Sequence, residues 1–312
     1  MVKNIKIDSL FDISKRSLNR LTNPSDKDAI STGYHRLDQF LGSLRPGNLI
    51  ALSGLTTMGK STFALNLIRN ISINRQMPTL LFSAEKNNED LANRLISMHC
   101  EIPHIQIDKA NLSNEDFEKL KKKTTNFVNT PFYIENTHRL YIEDVEKVSK
   151  EAVDLYGIKL IVVDYLQMMY YKTNMNYSRD AELNNIICHL KSLAIELQVP
   201  IIVVSQLSNN ETKAWCFDFE ISPLSVLRDS GTIGDGCDVV MFIHRPGYFL
   251  NLLDRQGNDI YGTAQLIIAK NRFGPTGSVS FHFDKECLLY REDTEKENFD
   301  NPLDDGYEGL PF

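Results

Sequence analysis

The chain has 312 residues, 42% hydrophobic and 24% charged, which is ordinary globular composition and excludes a disordered or fibrous protein. The net charge of −7 comes entirely from residues 292–312, where eight acids face Lys296 alone, so the rest is balanced and neither advertises nor forbids a polyanionic partner. Five scattered cysteines without a CxxC spacing exclude a zinc ribbon or disulfide framework; with no apolar h-region at the N-terminus and no apolar run of about 18 residues, a cytoplasmic protein without membrane contact is expected.

In chain order, residues 1–30 form a separate N-terminal segment, in which Leu10, Phe11, Ile13, Leu18 and Leu21 fall on one side of a helical wheel. Such a helix can fold back on its own domain or dock on a neighbouring subunit. Short, continuously apolar runs then recur at residues 48–53, 79–84, 160–164, 201–205, 239–243 and 265–269. Continuous rather than alternating apolarity predicts strands buried on both faces, the pattern of a parallel sheet covered by helices. Helical stretches at 61–73, 88–99, 113–126, 142–156 and 179–197 lie between them, so the order is repeated βα units. From about Gly262 the turns NRFGPTGS and FDKEC predict an antiparallel extension of the same sheet. The expected organisation is therefore an α/β domain over residues 31–291 and an acidic, disordered tail over 292–312.

The first run is followed at once by Gly54, Leu55, Thr56, Thr57, Met58, Gly59, Lys60 and Ser61, a G-x-x-x-x-G-K-[ST] loop, and then by the helix that begins with Ser61 and Thr62. Strand, loop and helix in that order are the context a phosphate-binding loop requires. Glycines let main-chain N–H groups turn onto the phosphates, Lys60 neutralises the β- and γ-oxygens of ATP, and the Ser61 hydroxyl ligates Mg²⁺. A P-loop also needs a strand-end carboxylate on the metal side, which Asp164 of LIVVD supplies. The next residue is Tyr165 rather than glutamate, so the base that activates water must come from elsewhere. Glu85, at the end of TLLFSA, and Gln206, at the end of PIIVVS, share the carboxyl edge of the sheet with them, where ligands of such folds bind.

This set resembles the C-terminal, RecA-like ATPase domain of replicative DNA helicases of the DnaB family. The likeness runs from residue 30 to 291 through STGYHRLDQFLGSLRPGNLIALSG, MGKSTFALNLIRN, FSAEK, LIVVDYLQMM, LKSLAIELQVPIIVVSQLS, LRDSGTIGDGCDVVMFIHR and AQLIIAKNRFGPTGSVSFHF. It implies Glu85 as the catalytic glutamate, Asp164 at the metal and Gln206 as the sensor of the γ-phosphate. It further implies that Lys270 and Arg272 of AKNRFGPTG reach ATP bound by an adjacent subunit, hence a homo-hexamer, and that Arg228, Asp229 and Gly231 of LRDSG touch the phosphates of single-stranded DNA.

Three departures accompany the likeness. The loop between SQLS and LRDSG carries only Lys213 where the family has several basic residues, and Gly234-Asp235 replaces a Glu-Gln pair. The family's N-terminal collar domain has no room in about 30 residues. The resemblance implies an ATP-driven helicase acting in DNA replication; the departures leave room for a RecA-like switch, loader or recombination accessory that binds DNA without unwinding. The tail ends in Leu310-Pro311-Phe312. It resembles the acidic, Pro-Phe-terminated tips of bacterial single-stranded-DNA-binding proteins, which implies a handle for a replication partner; its composition by itself reads as a solvated, disordered tail.

Overall fold

A computed structural model describes residues 9–11, 14–15, 18, 29–172, 178–207, 231–248 and 261–293. Its core is a nine-stranded sheet. The strands are β1 (Leu49–Ser53), β2 (Thr79–Ser83), β3 (Phe132–Asn136), β5 (Leu160–Asp164), β7 (Ile201–Val204), β8 (Val239–His244), β9 (Thr263–Asn271), β10 (Gly277–Asp284) and β11 (Leu289–Glu292). The short β4 (Leu140–Tyr141) and β6 (Met169–Tyr170) pair separately. The order across the large sheet is β11-β10-β9-β8-β1-β7-β5-β2-β3. From β8 to β3 all pairings are parallel, and from β8 to β11 all are antiparallel.

The six apolar runs correspond to β1, β2, β5, β7, β8 and β9, and the first four are buried at every residue. Helices on both faces make that possible, because residues of either parity meet apolar side chains. Strand β3 was not expected. As an edge strand, FYIEN is half-buried throughout and has no continuous apolar run to betray it. The predicted helix over 61–73 divides into α1 (Lys60–Ile68) and a wider π turn (Arg69–Ile73).

Helix α1 is buried at every residue from Thr62 to Ile68. Its Phe63 packs edge-on against Tyr290 and Phe281, with ring centroids 5.2 and 5.4 Å away, and stacks on Tyr34 at 5.7 Å. Asn66 Oδ1 accepts the Tyr290 N–H at 3.0 Å, while its Nδ2 donates to the Leu288 carbonyl at 3.0 Å. The antiparallel extension thus grips the helix that follows the P-loop. At the margins, Ile30 bridges Leu44, and Glu292 Oε1 accepts the Arg36 and Leu37 N–H groups. The packed body accordingly includes residues 30 and 292.

Two further helices matter for the site: α2 (Arg179–Leu197), capped by Ser178 Oγ on the Ala181 N–H, and the short α3 (Thr232–Gly236) packed on it. Gly236 is required there, since a Cβ would lie 2.2 Å from Ile187 Cγ2. In the N-terminal segment residues 10, 11, 14, 15 and 18 are helical, and Leu10, Phe11 and Leu18 are exposed. Ile13, Leu21 and the acidic tail beyond Asp293 lie outside the described residues. Among the described residues, no helix is long and apolar enough to cross a membrane.

Candidate functional site

Parallel strands end together, so loops after β1, β7, β5 and β2 must converge at one edge. The register sets Leu52 against Val204, Val204 against Asp164 and Asp164 against Ser83. The P-loop, Gln206, Asp164 and Glu85 follow these positions directly, so the sequence-predicted set is brought to one edge.

The loop itself is held from beneath. Leu55 and Met58 are buried, so these two positions offer a ligand only their main chain. Gly59 adopts a φ of 92°, and a Cβ there would stand 2.4 Å from the Tyr290 hydroxyl, which donates to the Met58 carbonyl at 3.4 Å. Only glycine satisfies both the left-handed backbone and the close approach. Because Gly59 caps α1 without a side-chain hydrogen bond, the N–H groups of the first turn stay available to an anion.

Lys60 folds back so that Nζ donates to the Leu55 carbonyl at 2.7 Å. Burial lowers its pKa to about 8, against the opposing pull of Asp164 and Glu85. Asp164 is buried and accepts the Ser61 hydroxyl at 3.1 Å. Desolvation raises its pKa, while the Ser61 hydrogen bond and the Lys86 and Lys60 ammonium groups oppose the rise. Glu85 is the open member, its side chain 59% exposed, with Lys86 Nζ 3.8 Å from Oε2.

The hydroxyl of Ser61 and the carboxylate of Asp164 are hard oxygen donors, as Mg²⁺ prefers. Among the described residues no cluster of three His, Cys, Asp or Glu could cage a metal. The donor set therefore suits an ion that takes few protein ligands and fills its shell with phosphate oxygens and water.

Gln206 Nε2 donates to Thr56 Oγ1 at 2.8 Å, tying the end of β7 to the P-loop. Its main chain is clamped by Gln167, whose Oε1 accepts the Gln206 N–H at 3.1 Å and whose Nε2 donates to the Gln206 carbonyl at 2.9 Å and to Ser205 Oγ at 2.9 Å. Sequence reasoning missed both Gln167 and Lys86. The available signal was a polar residue inside the otherwise apolar LQMM, and a lysine directly after Glu85.

Lys270 and Arg272 are not part of this cluster. Strand β9 runs against β8, with Val240 opposite Lys270 and Val239 opposite Asn271. They therefore sit at the amino edge of the parallel strands. Ser53, where the P-loop leaves the sheet, pairs with Phe242, three residues or about 10 Å further along β8. Lys270 Nζ donates to the Gly234 carbonyl, Arg272 NH2 to the Asp235 carbonyl at 3.1 Å, and Arg272 NH1 to Asp238 Oδ1 at 3.2 Å. Gly231 begins the turn into α3 with a φ of 39°, while Arg228 and Asp229 lie outside the described residues.

Comparison with known proteins agrees with this layout. The family model described as "DnaB-like helicase C terminal domain" matches residues 29–292. A probable replicative DNA helicase of Trieres chinensis is 33% identical over 287 residues, which cover 91% of this chain and 62% of that protein. The replicative DNA helicase DnaC of Bacillus subtilis is 30% identical over 261 residues, 84% of this chain and 56% of that protein. The chain thus spans little more than half the length of these relatives. Among solved structures, one described as an ATPase domain superposes with a TM-score of 0.80 at 25% identity, covering 91% of this chain and 99% of that one. A DnaB-like replicative helicase studied for its interactions with primase shares the fold, with a TM-score of 0.77 at 24% identity over 91% of this chain and 67% of its own.

Proposed function

Because the chain belongs to the family of DnaB-like helicase C-terminal domains, we propose that it is the ATPase motor of a replicative DNA helicase, hydrolysing ATP between subunits of a homo-hexamer to move along single-stranded DNA. The observation that carries this reading is the separation of two cationic sets. Lys60 stands with Ser61, Asp164, Glu85 and Gln206 at the carboxyl edge of the sheet, whereas Lys270 and Arg272 stand at the amino edge. One subunit supplies the first set and its neighbour the second. A domain of residues 31–291 with flanking segments is consistent with that role.

The chemistry follows from the residues. ATP lies along the loop from Gly54 to Thr62, whose main-chain N–H groups and α1 dipole receive its phosphates. Polyphosphate charge favours the ammonium form of Lys60 and draws it off the Leu55 carbonyl. Ser61 and Asp164 would hold Mg²⁺, which supplies charge neutralisation on the phosphate oxygens when bound. Glu85, open to solvent, orients the attacking water and accepts its proton. Gln206 senses the γ-phosphate, since its amide can exchange the Thr56 hydroxyl for a phosphate oxygen. Arg272 and Lys270 of the neighbour stabilise charge on the transferred phosphoryl group.

Main-chain and arginine contacts to DNA phosphates, from Arg228, Asp229 and Gly231, carry no base information, as a motor that must pass every sequence requires. The acidic tail is a handle for a replication partner. The protein acts in the cytoplasm.

The decisive test is ATPase activity with and without a single strand, followed by strand displacement on a forked substrate. DNA-stimulated turnover, lost in Glu85→Gln while nucleotide still binds, and ATP-dependent displacement are expected. Turnover indifferent to DNA sinks the motor. Stimulated turnover without displacement leaves a DNA-binding switch or loader, the reading favoured by the thin basic content around Lys213.

A further inference from the structure

Asp238 has no place in the chemistry described so far, yet it is the most heavily engaged carboxylate at the amino edge. It lies in the turn between α3 and β8 with its side chain 3% exposed. Oδ2 accepts the Leu49 N–H at 2.9 Å and Lys191 Nζ at 2.6 Å, and Oδ1 accepts Arg272 NH1 at 3.2 Å. Its main chain is fixed as well, donating to the Leu49 carbonyl at 2.9 Å and accepting the Arg272 N–H at 3.0 Å. One buried oxygen pair therefore joins the starts of β1 and β8, the end of β9 and the middle of α2.

The charges at this point are unequal: one carboxylate faces two cations. Lys191, at the shorter distance and also bonded to the Gly47 carbonyl at 2.8 Å, already answers the buried charge. Arg272 is thus not needed to make Asp238 tolerable. What the contact does is fix Arg272. A guanidinium whose side chain is 48% exposed would otherwise sample many rotamers, but here NH1 is held by Asp238 and NH2 by the Asp235 carbonyl. Each contact uses one hydrogen of a nitrogen that carries two, so both nitrogens keep a donor for a phosphate.

We propose that Asp238 is a positioning residue for the reaction: it holds Arg272 at the angle from which the guanidinium meets the nucleotide of the adjacent subunit. The proposal rests on the in-trans reading above and deepens it. Lys191 stabilises the seat but does not aim the arginine.

The experiment measures kcat, KM, nucleotide-analogue affinity and thermal midpoint for Asp238→Asn and Lys191→Met. Both variants break the Asp238–Lys191 pair, but only the first weakens the hold on Arg272. Asp238→Asn is expected to lose about 10- to 100-fold in DNA-stimulated kcat, with analogue affinity unchanged within about twofold. Lys191→Met should melt earlier and keep kcat within about twofold. Equal losses of kcat in the two variants, or full kcat in Asp238→Asn, overturn the proposal.

Subunit mixing separates this proposal from the reading beneath it. Asp238→Asn mixed with Lys60→Ala should regain turnover, because the intact P-loop of one then faces the intact arginine of the other. Arg272→Ala mixed with Lys60→Ala is the control. Recovery in the control alone overturns the role of Asp238, whereas no recovery in either mixture overturns the in-trans assignment itself. Should Asp238→Asn not fold, Arg272→Lys replaces it, since a single ammonium cannot grip Asp238 and the Asp235 carbonyl as a planar fork does. Full kcat in that variant overturns the proposal.

Discussion

The two edges of the central sheet handle positive charge in opposite ways. At the carboxyl edge Lys60 is partly buried, bonded to a neutral carbonyl 2.7 Å away and depressed to a pKa of about 8. At the amino edge Arg272 is half exposed and rests on a buried carboxylate that a second cation already neutralises. The first arrangement leaves a cation short of anionic charge, ready for a polyphosphate. The second fixes the direction of the cation proposed to act across a subunit boundary. Affinity and aim are assigned to different ends of the same strands.

The strongest way to break this contrast is at the carboxyl edge. Lys60→Ala should abolish measurable binding of an ATP analogue, and Glu85→Gln should keep binding while losing about 10³- to 10⁴-fold in turnover. Isothermal titration beside a phosphate-release assay checks both. If Glu85→Gln keeps near wild-type turnover, the base lies elsewhere.

Arg272→Ala should cost about 10³-fold in kcat, the low end for an arginine finger. Affinity for nucleotide measured at low protein concentration, where subunits are dissociated, should not change. Weakened binding under those conditions would place Arg272 at the site of its own subunit and erase the contrast.

A smaller effect sharpens the structural side. Gly59→Ala forces a Cβ into a left-handed backbone and onto the Tyr290 hydroxyl, and should cost about 4 kcal/mol in a urea melt from strain and overpacking together. Adding Tyr290→Phe should recover part of that loss by removing the oxygen 2.4 Å away.

Acid should weaken the carboxyl edge further, and least of all. Burial lowers His244, at the end of β8, from the usual 6.5 to about 4. Above pH 6.5 it is neutral in both states. Between 6.5 and 4 the unfolded chain takes up a proton that the folded chain refuses, so stability falls by about 2–3 kcal/mol across that window. Urea midpoints at pH 7 and pH 4 should converge in His244→Gln, and identical pH dependence in the two proteins would refute the assignment.

The contrast also explains what could be read from sequence. Gly54 to Ser61 are contiguous, and β1, β2, β5, β7 and β8 announce themselves by unbroken apolar runs, so five strands of the parallel half and its phosphate loop were legible from residue order. The seat of Arg272 is dispersed over Lys191, Asp235 and Asp238, residues without a shared spacing that only the β8 and β9 register brings together. Resemblance named Lys270 and Arg272, but nothing in residue order pointed to the carboxylate that holds Arg272. Gln167 escaped notice for a related reason: its importance lies in bonding the main chain of Gln206, a partner 39 positions away. Edge strand β3 was missed because half-burial removes the apolar continuity by which its neighbours were recognised.

The opposed edges also constrain assembly arithmetic. An interface that sets the carboxyl edge of one copy against the amino edge of the next is head-to-tail, and such contacts either close on themselves or grow as an open spiral. A closed assembly has as many complete sites as subunits; an open one has one fewer, with a nucleotide loop at one terminus and an unused arginine at the other. Counting tightly bound nucleotide per assembled particle would therefore report closure directly, and opening the assembly to admit a strand would silence one site without changing a residue.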